Sequence, residues 1–491
     1  MCWRLVLRGP PAGDSTRIDC RKGALLRLHE YAQHDAVGLR ELMRAGAVTA
    51  AEVELAARQA LEAADAALNA LAMPLFPRAL EHAADAPLSG VPFLIKDVPM
   101  ARGVPFCIGS RSLEGLVADH DSDLMVRFKA AGLVTLGVTT VPELAISFST
   151  ESVKYGPTRN PWDLERGVGG SSGGAAALVA AGAVPLAHGT DGAGSLRVPA
   201  SCCGLVGLKP SRGRIPCGPD TGEAGFGTSY EFGLTRTVRD AAHLLDAVHG
   251  PAVGDKYTAP APSGRYADEL ARAPGPLRVA CTTHAWSGVP VDSEVAHAVG
   301  RTARTLEAMG HEVSDASPAV DWEAVMHGFV AGLIAIAAPY LMAPRPPHAS
   351  KLEAVSRQIL DEAKALSALD LVSALDACNR VTRSVGAFFA EYDLLVTPTL
   401  GQPPAPHGTL RYDDPAHTTR SWLESMFAYG PFTAVFNISG QPAISLPLAQ
   451  SQSGLPIGVQ IIAPYGREDL LFQIAAQLEE AMPWNHRTPV W

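Results

Sequence analysis

The apolar positions of this 491-residue chain fall into short solid runs that alternate with stretches repeating every three to four residues. Gly90-Val91-Pro92-Phe93-Leu94-Ile95 reads as a buried strand that ends on Lys96-Asp97. A helix over 121–131 follows, stopped by Gly132, and then a strand over 133–139. The alternation continues with a helix over 173–183 and a strand over 184–188. After a Pro/Gly/Ala loop over 251–276 come a strand over 277–281, a helix over 293–309 and a strand over 312–314. Near the start, Asp35 is placed to cap a helix reaching Met43. Thr49-Ala50-Ala51-Glu52 is a capping box, and the helix it opens carries Val53, Ala56, Ala57, Ala60 and Leu61 on one face, with a tail running toward Pro74. Residues 321–391 read as mostly helical with a break at Pro344-Arg345-Pro346-Pro347, followed by a strand over 393–397 and an exposed loop over 401–420. Strands over 443–446 and 457–462, around a turn near 451–454, and a helix over 469–481 close the chain. Strands alternating with helices predict an α/β fold, a single large domain with a mixed, mostly parallel sheet covered by helices on both faces. Residues 1–25 lack periodicity and are set apart as an extension, leaving a domain over 26–491 with a mostly helical insert over about 315–430.

Composition narrows the function. A net charge of −10 and a pI of about 5.8 argue against a nucleic-acid partner or an anionic membrane surface. The longest apolar candidate for a membrane span, 329–342, is too short and contains Pro339. Residues 1–8 lack the apolar region of a signal peptide. The eight cysteines are scattered without a CxxC pair, which suits reduced thiols in a cytoplasmic protein and predicts neither a disulfide framework nor a zinc site. Cys202 and Cys203 read as small buried hydrophobes. No cofactor and no metal is expected.

The chemistry concentrates between Gly169 and Pro199. Gly169-Gly170-Ser171-Ser172-Gly173-Gly174 and Gly189-Thr190-Asp191-Gly192-Ala193-Gly194-Ser195 are two glycine-rich turns, each holding serine, around one short helix and one short strand. Glycine lets backbone N–H groups converge on a ligand atom, which suits a nucleophile beside an oxyanion hole. A serine nucleophile needs a base. Gly169-x-Ser171-x-Gly173 satisfies the nucleophile-elbow pattern, but no buried strand is read directly before it, and His311, His327, His348, His407, His417 and His486 lie in no recognisable motif. Lys96, at the end of an apolar strand, fits better, because desolvation makes an amine a usable proton acceptor.

Lys96, Gly170-Ser171-Ser172-Gly173, Gly189-Thr190-Asp191-Gly192-Ala193-Gly194-Ser195-Leu196-Arg197 and Gly207-Leu208-Lys209-Pro210-Ser211-Arg212-Gly213-Arg214 together resemble the amidase signature family. So do the spacings of 75 residues from Lys96 to Ser171 and 24 from Ser171 to Ser195. The resemblance implies an acylated nucleophile at Ser195, a bridging Ser171 held by a cis peptide from Gly170, and Lys96 as base. It further implies an oxyanion hole from the backbone N–H groups of Gly192, Ala193, Gly194 and Ser195, with Ser172, Asp191 and Arg197 holding the turns. One departure is Ala193, where most relatives carry glycine; its methyl is expected to trim the pocket floor.

The activity implied is hydrolysis by water of neutral, fairly hydrophobic amides, anilides, oligoamides or carbamates (urethanes), with esterase side activity, by a monomer or homodimer. Two alternatives stay open: the amidase subunit of a tRNA-dependent amidotransferase, and a non-catalytic scaffold on the same fold. Candidate pocket residues are Met100, Phe148, Ser149, Thr150, Phe329, Tyr340 and Phe432, and no charged cluster in the segments around them calls for a charged substrate.

Overall fold

Side-chain caps set the helix starts near the N-terminus. The computed structural model describes residues 26–343 and 346–489. The extension expected over 1–25, and Pro344-Arg345 of the expected break, lie outside the described residues. Asp35 accepts the N–H of Gly38 at 2.9 Å and opens helix Ala36–Arg44. Thr49 and Glu52 bond each other's backbone and open Ala50–Leu68. The tail expected toward Pro74 is not helical. Asp65 Oδ1 takes the N–H groups of Ala70 and Leu71 at 2.7 Å each, and Asn69 turns left-handed at φ 53°, which ends the helix at Leu68.

Eleven strands of four or more residues occur among the described residues: β1 (Pro92–Lys96), β2 (Val134–Thr139), β3 (Asp163–Gly167), β4 (Leu186–Asp191), β5 (Val206–Lys209), β6 (Tyr230–Thr235), β7 (Arg278–Cys281), β8 (Glu312–Asp315), β9 (Leu394–Pro398), β10 (Ala443–Gln450) and β11 (Pro456–Ile462). Eight form one mixed sheet in the order β8-β7-β9-β11-β10-β5-β6-β4. The parallel bias expected from the sequence holds only at one end, where β7 pairs parallel with β8 and β9; the other five pairs are antiparallel. Solid apolar runs report that both faces of a strand are covered, not the direction of its neighbours, so the pattern could not separate the two. A parallel pair, β1 with β2, packs beside edge strand β4. β3 belongs to a two-stranded ribbon outside the main sheet and is only partly buried, so no core strand leads into the first serine turn.

Three helices frame the site, with two more beside them. α1 (Gly173–Ala180) is wholly buried, and its glycines and alanines let it sit against β4 and against α2 (Arg197–Cys203). α3 (Trp322–Ile336) runs along α4 (Ala368–Glu391) and packs on α5 (Thr419–Tyr429), where Phe329 meets Phe427 at 5.2 Å between ring centroids. With the short helix Ala338–Met342, α3 makes a segment of 21 residues, Trp322–Met342, long and apolar enough to cross a membrane. That is longer than the 14-residue run read from the sequence, because Met326 and His327 do not interrupt the helix. Among its apolar side chains Phe329, Leu333 and Ile336 line the cavity described below and Val325 and Met326 are buried, whereas Met342 is exposed. The loop expected to be exposed over 401–420 is anchored, since Leu410 and Tyr412 are buried and Tyr412 Oη meets Ser356 Oγ at 2.9 Å.

Candidate active site

β1 is buried along its whole length and delivers Lys96 with no exposed surface. The amine faces three hydroxyls: Ser171 Oγ at 2.8 Å, Ser172 Oγ at 3.1 Å and Thr190 Oγ1 at 2.7 Å. Burial pulls the amine down to about 7, against the opposing pull of Glu231, Asp191 and Asp97. An ammonium would donate to all three hydroxyls; the neutral amine has a lone pair free to take a proton from one of them.

Ser171 and Ser172 sit at the N-terminal end of α1, and the Gly170–Ser171 peptide is cis. Gly170 is required by close approach: a Cβ there would lie 2.6 Å from Ser147 O. Ser172 Oγ also bonds the backbone of Thr190 on β4, which ties the first turn to the second.

The second turn is built on a buried charge pair. Arg197 Nη2 and Nε donate to the two oxygens of Asp191 at 2.8 and 3.0 Å, and both residues are fully buried. Burial pushes the Asp191 carboxyl up, but the charge and hydrogen bonds of Arg197, with help from Asn437, outweigh it and hold the group below its usual range. The guanidinium is satisfied further by Thr433 O and Gln460 Oε1 at 2.9 and 2.7 Å. Asp191 Oδ2 also takes the Leu196 N–H at 3.1 Å, which folds the chain back over Gly192, Ala193, Gly194 and Ser195. Among the described residues no acceptor takes the N–H groups of those four. Gly194 has φ 151°, and a Cβ there would collide with Thr433 Oγ1 at 2.5 Å, so only glycine fits.

Ser171, Thr190, Gly192, Ala193 and Ser195 line the floor of a cavity of about 600 Å³. Ser171 and Ser195 share the floor without a hydrogen bond between them; catalytic contacts commonly tighten only around substrate. Of the pocket residues expected from the sequence, Phe148, Phe329 and Tyr340 line the cavity. Met100 and Phe432 do not, being buried in the core, Phe432 against Trp286. Ser149 is turned to Glu151 at 2.7 Å, and Thr150 is spent on Gly169 O at 2.8 Å, supporting the first turn from below.

The sequence reading missed several wall residues. Leu371, Leu375, Cys378 and Thr382 reach the cavity from one face of α4, a spacing of three and four residues that was legible but unassigned. Arg212, Asp220 and Glu231 bring charge to the wall from outside the segments read as pocket-forming. Arg212 is engaged with Gly227 O at 2.7 Å and with the carbonyls of Asn437 and Ile438. Thr190 lay in the quoted motif, but nothing in the pattern said it would reach the lysine.

The sequence profile of the Amidase family matches residues 51–472. This chain belongs to the amidase signature family. The amidase is 39% identical over 477 residues to a 6-aminohexanoate-cyclic-dimer hydrolase of Paenarthrobacter ureafaciens, covering 93% of this chain and 96% of the relative. A solved 6-aminohexanoate cyclic dimer hydrolase with substrate bound superposes with a TM-score of 0.87 at 38% identity, over 93% of this chain and 99% of that one. A bacterial aryl acylamidase of the same family superposes with a TM-score of 0.80 at 26% identity, over 93% and 97%. The amidase is accordingly an amide hydrolase with a large mixed sheet flanked by helices.

Proposed function

We propose that this amidase is a stand-alone serine hydrolase that opens the C–N bond of neutral, fairly hydrophobic amides, cyclic and linear oligoamides, anilides or carbamates. The observation that carries the reading is a buried Lys96 amine, lowered to about 7, bonded to a Ser171 that shares the cavity floor with Ser195. Ser195 Oγ adds to the substrate carbonyl carbon while its proton passes to Ser171 and that of Ser171 to Lys96. The N–H groups of Gly192 to Ser195 take the developing oxyanion. A donor of this kind is worth ~10²–10³ in rate. Collapse breaks the C–N bond, and the proton returns through Ser171 to the leaving nitrogen. Water then attacks the acyl-enzyme by the same route, releasing a carboxylate, or for a carbamate cleaved at its C–N bond an alkyl hydrogen carbonate that loses CO₂ to leave the alcohol.

Near full-length similarity to a hydrolase named for a cyclic diamide supports cyclic oligoamides as the first substrates to try. An apolar wall of Phe148, Phe329, Leu333 and Met426 supports a hydrophobic group beside the scissile bond. The test is intact-mass spectrometry after treatment with an alkyl fluorophosphonate. Wild type is expected to gain one adduct and Ser195→Ala none. A wild-type adduct that survives Ser195→Ala overturns the assignment of the nucleophile. A panel of cyclic diamides, anilides, carbamates and esters then ranks substrates by kcat/KM.

A further inference from the structure

Lys96 is surrounded by hydroxyls at contact distance and by three carboxylates further out, and the three carboxylates differ in how much of their charge is already neutralised. Asp97, next on the chain, accepts the N–H groups of Cys107 and Gly109 at 2.8 Å each and the Tyr155 hydroxyl at 2.9 Å. Asp191, at the end of β4, is matched by Arg197 through two charge-assisted bonds. The Glu231 side chain, on β6, has among the described residues a single close charged or hydrogen-bonding contact, His188 Nε2 at 3.3 Å.

Sheet register explains the placement. β4 and β6 are antiparallel with Thr190 opposite Glu231 and His188 opposite Gly233. Residues directly opposite in an antiparallel pair, and residues two apart on one strand, project to the same face. His188, Thr190 and Glu231 therefore share one face of the sheet, and two of the three connect to Lys96. Thr190 Oγ1 takes its amine proton at 2.7 Å, and His188 Nδ1 takes its backbone N–H at 3.3 Å. Because Nδ1 accepts, a neutral His188 carries its proton on Nε2, the atom aimed at Glu231. The imidazole has no exposed surface, packs edge-on against Phe128 at 5.7 Å, and has no hydrogen bond to Nε2 of good geometry, so the Glu231 contact is an ion-pair approach only. The groups facing Lys96 are thus Asp97 directly after its own strand, His188, Thr190 and Asp191 from β4, Glu231 from β6, and hydroxyls alone from the start of α1.

We propose that Glu231, held against His188 one strand beyond Thr190, is a positioning residue that sets the proton balance of the Lys96 amine. The inference rests on the serine hydrolase reading above. When the Ser195 proton reaches Lys96 through Ser171, one N–H bond forms on the amine and a buried cation appears. Among the three carboxylates Glu231 alone has neither a matched guanidinium, as Asp191 has, nor a set of close donors, as Asp97 has, so its field is the least offset at that cation. It also borders the cavity floor, which places its field over the reacting atoms. It is the largest of the three carboxylate contributions that hold the amine up against burial.

The experiment reads the rate of Ser195 phosphonylation by an alkyl fluorophosphonate from pH 5.5 to pH 8.5, for wild type, Glu231→Gln, Glu231→Ala and Glu231→Asp. In that reaction the Oγ–P bond forms, the P–F bond breaks, and the serine proton goes to the lysine, so no natural substrate is needed. Glu231→Gln keeps the size and shape of the side chain beside His188 and removes the charge. Its alkaline plateau is expected to fall and its acid limb to move to lower pH, so that the variant-to-wild-type ratio rises at least ~3-fold from pH 8 to pH 5.5, the equivalent of about half a pKa unit. Glu231→Ala gives the same sign should the glutamine variant fail to fold, and Glu231→Asp restores the wild-type limb. A ratio that stays flat with pH in both neutral variants marks a merely structural residue and overturns the inference, leaving the hydrolase reading intact. Wild type that does not label overturns both.

Discussion

Lys96 and Asp191 are two buried charges handled in opposite ways. Asp191 keeps its charge because Arg197 and Asn437 surround it with donors. Lys96 has only hydroxyls in contact, and its folded-state value of about 7 lies well under the ordinary 10.5. Between those two values the unfolded chain binds a proton that the folded protein does not, so this residue makes stability rise with pH from about 7 to 10.5. Below about 7 both states are protonated and the burial penalty is fullest. Lys96→Met, of similar length, is therefore expected to abolish amide hydrolysis while raising Tm, by more at pH 6 than at pH 10.5; a Tm gain equal at both pH values would show that the amine is not held neutral. In wild type, kcat/KM is expected to fall as pH drops through about 7. Asp191→Asn removes the one carboxylate that faces the buried Arg197 cation and is expected to cost ~3–5 kcal/mol in urea unfolding, as broken buried pairs do. A loss below ~1 kcal/mol, the range of exposed pairs, would show that Asn437 and Gln460 suffice to hold the guanidinium.

At the scale of elements, the cavity wall depends on one bare stretch of helix. Gly332 on α3 borders the cavity, and a Cβ built there meets nothing within 4 Å. The empty space is room for substrate, so Gly332→Val is expected to lower kcat/KM for bulky anilides ~10–200-fold, the range for a methylene-scale misfit, while small amides are turned over as in wild type. Equal loss on both would place the substrate elsewhere. Strands and capped helices were legible wherever a local rule decides them: the apolar run into Lys96, the Thr49 capping box, the serine turns and their spacing. β5 and β6 were not, because Tyr230-Glu231-Phe232-Gly233 mixes polar and glycine positions and owes its burial to β4 and β5 on either side. Glu231 was lost with it, since its meaning comes from a register across two strands. Met100 and Phe432 were misplaced for a related reason: being apolar and near the chemistry in sequence does not say which side of a buried layer a side chain takes.

Taken whole, the molecule assembles its reactive floor and its walls from different stretches of chain. The floor comes from β4 and the two serine turns, with Lys96 of β1 beneath it, whereas most of the apolar wall comes from α3, α4 and α5, more than a hundred residues further on. A cavity of about 600 Å³ leaves space beyond a single amide group. Across a series of p-nitroanilides of rising acyl length, each methylene that enters this space is expected to raise kcat/KM by up to ~4-fold, the equivalent of about 0.8 kcal/mol per buried CH₂, until the cavity is filled. A series that is flat from acetyl onward would show that the apolar wall is out of reach of the acyl chain. The same division bears on how such a protein can diversify. Randomising the cavity-facing positions of α3 and α4 changes what is admitted without disturbing the lysine, the serines or the charge pair beneath them. A library confined to those two helices should therefore yield many folded clones that share one rate of fluorophosphonate capture and differ in diet, which is the starting condition for directed evolution toward new polymers and anilides.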